Sequence, residues 1–206
     1  VAIQPNGRIV VAGATAQNRF GIARYLPDGS VDTSFGGGDG EALVWFKVPP
    51  TGCFGGFNDV ALQPDARIVA TGVACGDVGV ARFLPDGTPD PSFGQNGTVR
   101  TPVSKTGVLA EANAITLQAD GKIVIAANAL DSGFVARLQP SGLPDATFHG
   151  SGKVEIPEMA GLGGVAIQPD GGIVVTGGDS RYSELATVAR LEGDSPGVGG
   201  SPGGPN

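Results

Sequence analysis

The chain has 206 residues, with 13 basic and 20 acidic side chains and a net charge of −7. No Lys/Arg cluster is present to displace counterions from a phosphate backbone, so nucleic acid is not an expected partner. Glycine (36) and proline (16) together make about a quarter of the sequence, and helix-favouring runs at a 3.6-residue period are missing, which points to an all-β chain rich in turns. No stretch of 18 apolar residues occurs and no charged-then-apolar leader opens the chain, so neither a membrane span nor a signal peptide is expected within it.

Taken in chain order, the elements repeat. A strand signal at residues 1–4 leads through Pro5-Asn6-Gly7 into an apolar run, Ile9 to Ala12, and then into Ala23-Arg24-Tyr25-Leu26-Pro27-Asp28-Gly29 and the corner Asp32 to Gly36. The first block recurs at 60–72, 115–127 and 165–177, with its glutamine at Gln4, Gln63, Gln118 and Gln168. The second block recurs at 81–94 and, more loosely, at 136–149; only Ala189-Arg190-Leu191 survives of it in the fourth copy. Self-similarity at a period of this length decides the architecture before any single residue does.

Each copy supplies four strands. The first alternates large and small (Ile3 with Ala2, Leu62 with Ala61), which suits the crowded position nearest a central axis. The second is continuously apolar (Ile123 to Ala126), as in a strand covered on both faces, and the fourth alternates polar and apolar (Lys153 to Ile156), as at an outer edge. A four-stranded meander with two apolar faces cannot bury itself, so the copies must stack, and radial stacking gives a β-propeller; a β-solenoid is disfavoured because its coils carry shorter repeats. The expected fold is thus an all-β propeller of four-stranded antiparallel blades, with copies at about 1–48, 58–103, 113–157 and 163–191. The last copy lacks its outer strand, which is expected upstream of Val1, so the chain reads as the C-terminal part of a larger ring. Residues 193–206 read as a Gly/Pro/Ser linker or end.

The signature Ala-Arg-(Tyr/Phe)-Leu-Pro-Asp-Gly-x-x-Asp-x-Ser-Phe-Gly, followed by a strand and (Val/Leu)-Gln-Pro-Asp-Gly-(Arg/Lys)-Ile-Val, resembles the delta-60 repeat of bacterial β-propeller proteins over about residues 1–191. The resemblance departs at Ser141 and His149. It implies a propeller in large exported or surface-associated proteins, with no common biochemical activity.

Arg24, Arg82 and Arg137 are each followed eight residues later by Asp32, Asp90 and Asp145. The same pair in every full copy predicts a structural tie rather than a ligand clamp. Arg190 lacks an equivalent acid. The Asp residues of the Pro-Asp-Gly turns are explained by turn chemistry, so no metal is expected, and no cofactor motif is present. Gly-x-Ser-x-Gly around Ser195 and Ser201 lacks the strand and helix of a nucleophile elbow, and His149 replaces a corner glycine. Cys53 and Cys75 fall near the open end of one hairpin, where a disulfide is geometrically possible and would favour an oxidising compartment.

The loops that differ most between copies, at about 47–57, 103–112 and 157–163 and at about 14–19, 73–78, 128–133 and 178–186, should emerge on one face. Variable loops on a rigid scaffold are where binding resides. Candidate ligand residues there are Arg19, Phe54, Phe57, Asp77, Glu111, Asn113, Asp131, Arg181 and Tyr182; Phe54 and Phe57 have a second reading as cover for the blade rim. The expected function is a non-catalytic extracellular or cell-surface module that binds protein or glycan, or scaffolds it. Two readings compete with it: a structural spacer of a surface protein, and a hydrolase or lyase with its site at the channel mouth, for which Asn58, Asp59 and Asn113 supply little acid–base equipment.

Overall fold

A computed structural model describes residues 1–15, 20–46, 55–102, 109–129, 132–179 and 186–193. The first sheet comprises β1 (Ala2–Ile3), β2 (Ile9–Ala14), β3 (Phe20–Tyr25) and β4 (Glu41–Val44). The second comprises β5 (Gly55–Leu62), β6 (Ile68–Ala74), β7 (Asp77–Phe83) and β8 (Thr98–Thr101), and the third β9 (Ala110–Leu117), β10 (Ile123–Ala129), β11 (Ser132–Leu138) and β12 (Lys153–Ile156). The fourth has three strands, β13 (Met159–Ile167), β14 (Ile173–Asp179) and β15 (Ala186–Leu191). Every sheet is an antiparallel meander in chain order, and β5 lies against both β2 and β9, as β9 does against β13. Among the described residues three blades thus have four strands and one has three.

The apolar core lies between blades. Val10, Phe20, Ile22 and Val44 of the first blade pack with Phe57, Ile68, Ala70 and Phe83 of the second. Val69, Val78 and Val80 of the second pack with Ile115, Ile123 and Ile125 of the third. Val124, Ala126 and Val135 of the third pack with Leu162, Ile173 and Val175 of the fourth. Consecutive residues of β6 thus serve opposite interfaces, as the two-residue period of a strand requires, and a continuously apolar sequence is the consequence. At about 1.5–3 kcal/mol for each fully buried aliphatic side chain, these interfaces are the main source of cohesion.

In the second, third and fourth blades the first strand begins earlier than its sequence pattern indicates, because each of these three carries a bulge or irregularity. Phe57 pairs with Gly72 and Asp59 with Thr71, leaving Asn58 extra. Ala112 pairs with Ala127 and Ala114 with Ala126, leaving Asn113 extra. Gly161, Leu162 and Gly163 form the wider irregularity in β13. An inserted residue reverses the in–out alternation, so the polar Asn resembles a loop residue in a plain reading of the sequence.

Candidate functional site

One cluster recurs at the turn end of every complete blade. In the first, Arg24 Nε donates to Asp32 Oδ2 at 2.7 Å, and Asp32 Oδ1 accepts from the Ser34 hydroxyl at 2.6 Å and the Ser34 amide at 3.1 Å. The guanidinium lies 4.3 Å from the centre of the Phe35 ring. The second blade repeats this with Arg82, Asp90, Ser92 and Phe93, and the third with Arg137, Asp145, Thr147 and Phe148. Arg137 is fully buried, and each of the three aspartates is at least 97% buried. The constant spacing of eight residues follows from the tight corner, in which the Asp32 amide donates to the Arg24 carbonyl at 3.0 Å and brings the two side chains back together.

A second cation shares each acid. Arg8 Nε is 2.9 Å and Arg67 Nε 3.0 Å from Asp32 and Asp90, and Lys122 Nζ is 3.6 Å from Asp145. The repeated Arg/Lys just after the first hairpin turn was the available signal for them. The Ser34 hydroxyl holds the Asp32 carboxyl down at about 2, against the opposing effect of burial, with the Ser34 amide and Arg24 adding to it. At Asp90 and Asp145 burial pushes upward, and the hydroxyl and amide of Ser92 and Thr147 together with Arg82 and Arg137 outweigh it, leaving both lowered.

The cluster also reaches the next blade. Arg24 Nη1 donates to the Pro85 carbonyl at 2.6 Å, the Gly36 amide to the Asp86 carbonyl at 2.9 Å, and Arg82 likewise to the Pro140 carbonyl. Each arginine–aspartate pair thus closes its own corner, and Arg24 and Arg82 also reach the next blade.

At the opposite face the candidates divide. Phe57 is buried, 4% exposed, against Phe20, Phe46 and Phe83; its assignment as a ligand residue is corrected, because strand β5 begins before it and turns it into the core. Asn113 sits at a bulge and donates to the Leu162 carbonyl at 3.0 Å, which is a tie between neighbouring first strands. Glu111 is exposed and accepts from Asn58 at 3.0 Å. Asp77 pairs with Arg100 at 3.0 Å. Arg19, Phe54, Asp131, Arg181 and Tyr182 lie outside the described residues. Cys75 is disulfide-bonded; the only other cysteine in the sequence, Cys53, also lies outside them.

Two residues on this face escaped the sequence reading. Trp45, just beyond β4, is 54% exposed and Leu109, just before β9, is 77% exposed. Their positions at strand ends gave no periodic signal.

The channel-mouth residues are committed elsewhere. Asp59 accepts from the Val60 amide at 2.8 Å and, across the blade interface, from the Ile115 amide at 3.0 Å. His149 is exposed at φ 47° in the corner, its ring edge-on to Phe148. Among the described residues no group of three or more His, Cys, Asp or Glu side chains is placed to hold a metal ion, and no helix is long and apolar enough to cross a membrane.

The inter-blade cores, the repeated corner and the meander order define a β-propeller built from one recurring unit. Residues 4–35, 63–93 and 118–148 match the family described as "Domain of unknown function (DUF5122) beta-propeller". Each matched segment runs from the glutamine that ends the first strand to the phenylalanine of the corner, so it contains both cations and the shared acid. The chain is a β-propeller repeat protein. A comparison with curated proteins finds no match.

Proposed function

We propose that this propeller is a non-catalytic extracellular binding or scaffold module that engages protein or glycan through its variable-loop face, and that its repeat is of the delta-60 type. The observation that carries the reading is the exposure of Trp45 and Leu109 on that face, while the large apolar residues between the blades are buried. The same face carries the Asp77–Arg100 pair and the exposed Glu111, and exposed indole and aliphatic side chains together with polar ones suit recognition. The non-catalytic part is supported by the engagement of Asp59 and the corner acids in structural bonds. The disulfide at Cys75 favours an oxidising, extracellular setting.

Trp45 is the only tryptophan in the sequence, so its emission reports on this face alone. Titration with a panel of glycans and peptides should shift or quench it saturably for one ligand class, and Trp45→Ala should weaken that ligand's binding. If emission and thermal midpoint stay unmoved across the panel, the spacer reading replaces this one.

A further inference from the structure

The β6–β7 hairpin turns on two residues. Ala74 pairs with Asp77, leaving Cys75 at φ 54° and Gly76 at φ 82° between them. Two successive left-handed residues in a two-residue loop mark a type I′ turn, which takes Asn-Gly most readily because both residues enter that region at little cost. Cysteine has no such ease, and a non-glycine residue kept there is held by its surroundings. Here the hold is partly covalent, since Cys75 is disulfide-bonded, and the residue is half-buried rather than sealed in the core. The same turn carries the start of the next blade. The Ala110 amide donates to the Gly76 carbonyl at 2.7 Å, and Leu109 lies over Gly76, where a Cβ would meet its Cδ2 at 3.0 Å. Ala110 opens β9, and Leu109 just before it is exposed. Asp77, the residue after the turn, holds Arg100 at 3.0 Å. An exposed apolar group and an ion pair of the loop face thus hang on one dipeptide, Cys75-Gly76.

We infer that Cys75-Gly76 is a redox-controlled clamp on the loop face. With the bridge closed, the left-handed turn aims the Gly76 carbonyl at Ala110 and fixes Leu109 in place. With the bridge reduced, Cys75 is free to leave the left-handed region, the Gly76 carbonyl turns away, and residues 109–110 are released. The reductant is a dithiol. Its thiolate attacks one sulfur of the bridge and displaces the other; its second thiol then attacks the mixed disulfide. Two electrons and two protons pass to the protein's two cysteines, and the dithiol leaves as a disulfide. The inference rests on the loop-face reading for its consequence, the loss of a recognition residue, and on the turn for its mechanism.

The test follows the Ala110 amide by hydrogen exchange in the whole chain, oxidised and after dithiothreitol, with the amides of Val124 to Ala126 in β10 as the reference for overall stability. Reduction is expected to speed Ala110 exchange about tenfold beyond any change in that reference, the scale of one non-glycine residue leaving a left-handed conformation. Cys75→Asn lacks the bridge but suits the turn, so its Ala110 amide should exchange like that of the oxidised chain, with or without dithiothreitol. Cys75→Val, whose branched side chain suits the turn least, should exchange fast in both conditions. The clamp is overturned if reduction leaves Ala110 no faster than the β10 reference. It is equally overturned if Cys75→Asn exchanges as fast as the reduced chain, which would assign the effect to the bridge and not to the turn. Reduction of the unaltered chain decides even where a variant does not fold. No ligand enters the measurement, so an unmoved Ala110 sinks the clamp alone, while the Trp45 titration alone decides the loop-face reading.

Discussion

Arg24 in the first blade and Pro85 in the second are joined by a 2.6 Å hydrogen bond from the guanidinium to the prolyl carbonyl. The same guanidinium holds Asp32 and lies on Phe35, so one side chain closes a corner within its own blade and fastens that blade to its neighbour.

Removing such an arginine leaves a buried carboxylate short of its closest cation. Arg82→Ala is expected to cost about 3–5 kcal/mol, the range for breaking a buried pair from one side. Arg190→Ala, at an exposed site with local partners, should cost far less. Urea denaturation of the two variants beside the parent chain checks the contrast; equal losses would refute the structural assignment of the corner.

Acid should unfold the protein through these corners. Asp32, Asp90 and Asp145 have lowered folded-state values, so each contributes stability that is fully present above the unfolded carboxylate value of about 4 and is lost as pH falls through the folded one. For Asp32 that window runs from about 4 down to about 2. A circular-dichroism titration should show a flat plateau from neutrality to about pH 4 and a steepening loss of thermal stability below it. Asp32→Asn should lower the plateau and flatten the acid limb.

Reduction should loosen the second blade. The bridge at Cys75 is expected to close on Cys53, across the β5–β6 hairpin, and its removal should cost about 3 kcal/mol for a loop of that length. Thermal melts with and without reductant measure this, and non-reducing peptide mapping identifies the partner.

The bulges should behave as fasteners. Asn58 donates to the Ala112 carbonyl at 2.9 Å and Asn113 to the Leu162 carbonyl at 3.0 Å. Either residue changed to alanine is expected to cost about 1 kcal/mol, the net worth of one such bond. Their effects should add in the double variant, since they serve different interfaces.

The blades, their strand order and the Arg–Asp pairs were legible in the sequence for one physical reason: all three depend on near neighbours or on repetition. Arg24 meets Asp32 across a single corner, and copies confirm each other. Arg8, Arg67 and Lys122 were not read as partners of the same acids because they come from another strand, and only sheet register brings them there. A plain period-two reading puts Phe57 at the end of a loop and Asn113 at the start of a strand beside one, because the bulge near each breaks the alternation that marks the earlier part of the strand. Trp45 and Leu109 lie past the strand ends, where sequence carries no periodic information about exposure.

On the receiving side, the fasteners between blades meet main chain. Arg24 and Arg82 reach prolyl carbonyls, Asn58 and Asn113 reach the carbonyls of Ala112 and Leu162, and Asp59 takes the amide of Ile115. Every residue type but proline presents both of these groups, so these particular bonds, unlike the Asn58–Glu111 contact and the apolar cores, do not depend on the side chains of the receiving blade. At these bonds the copies can differ in sequence while the polar joint between them stays the same.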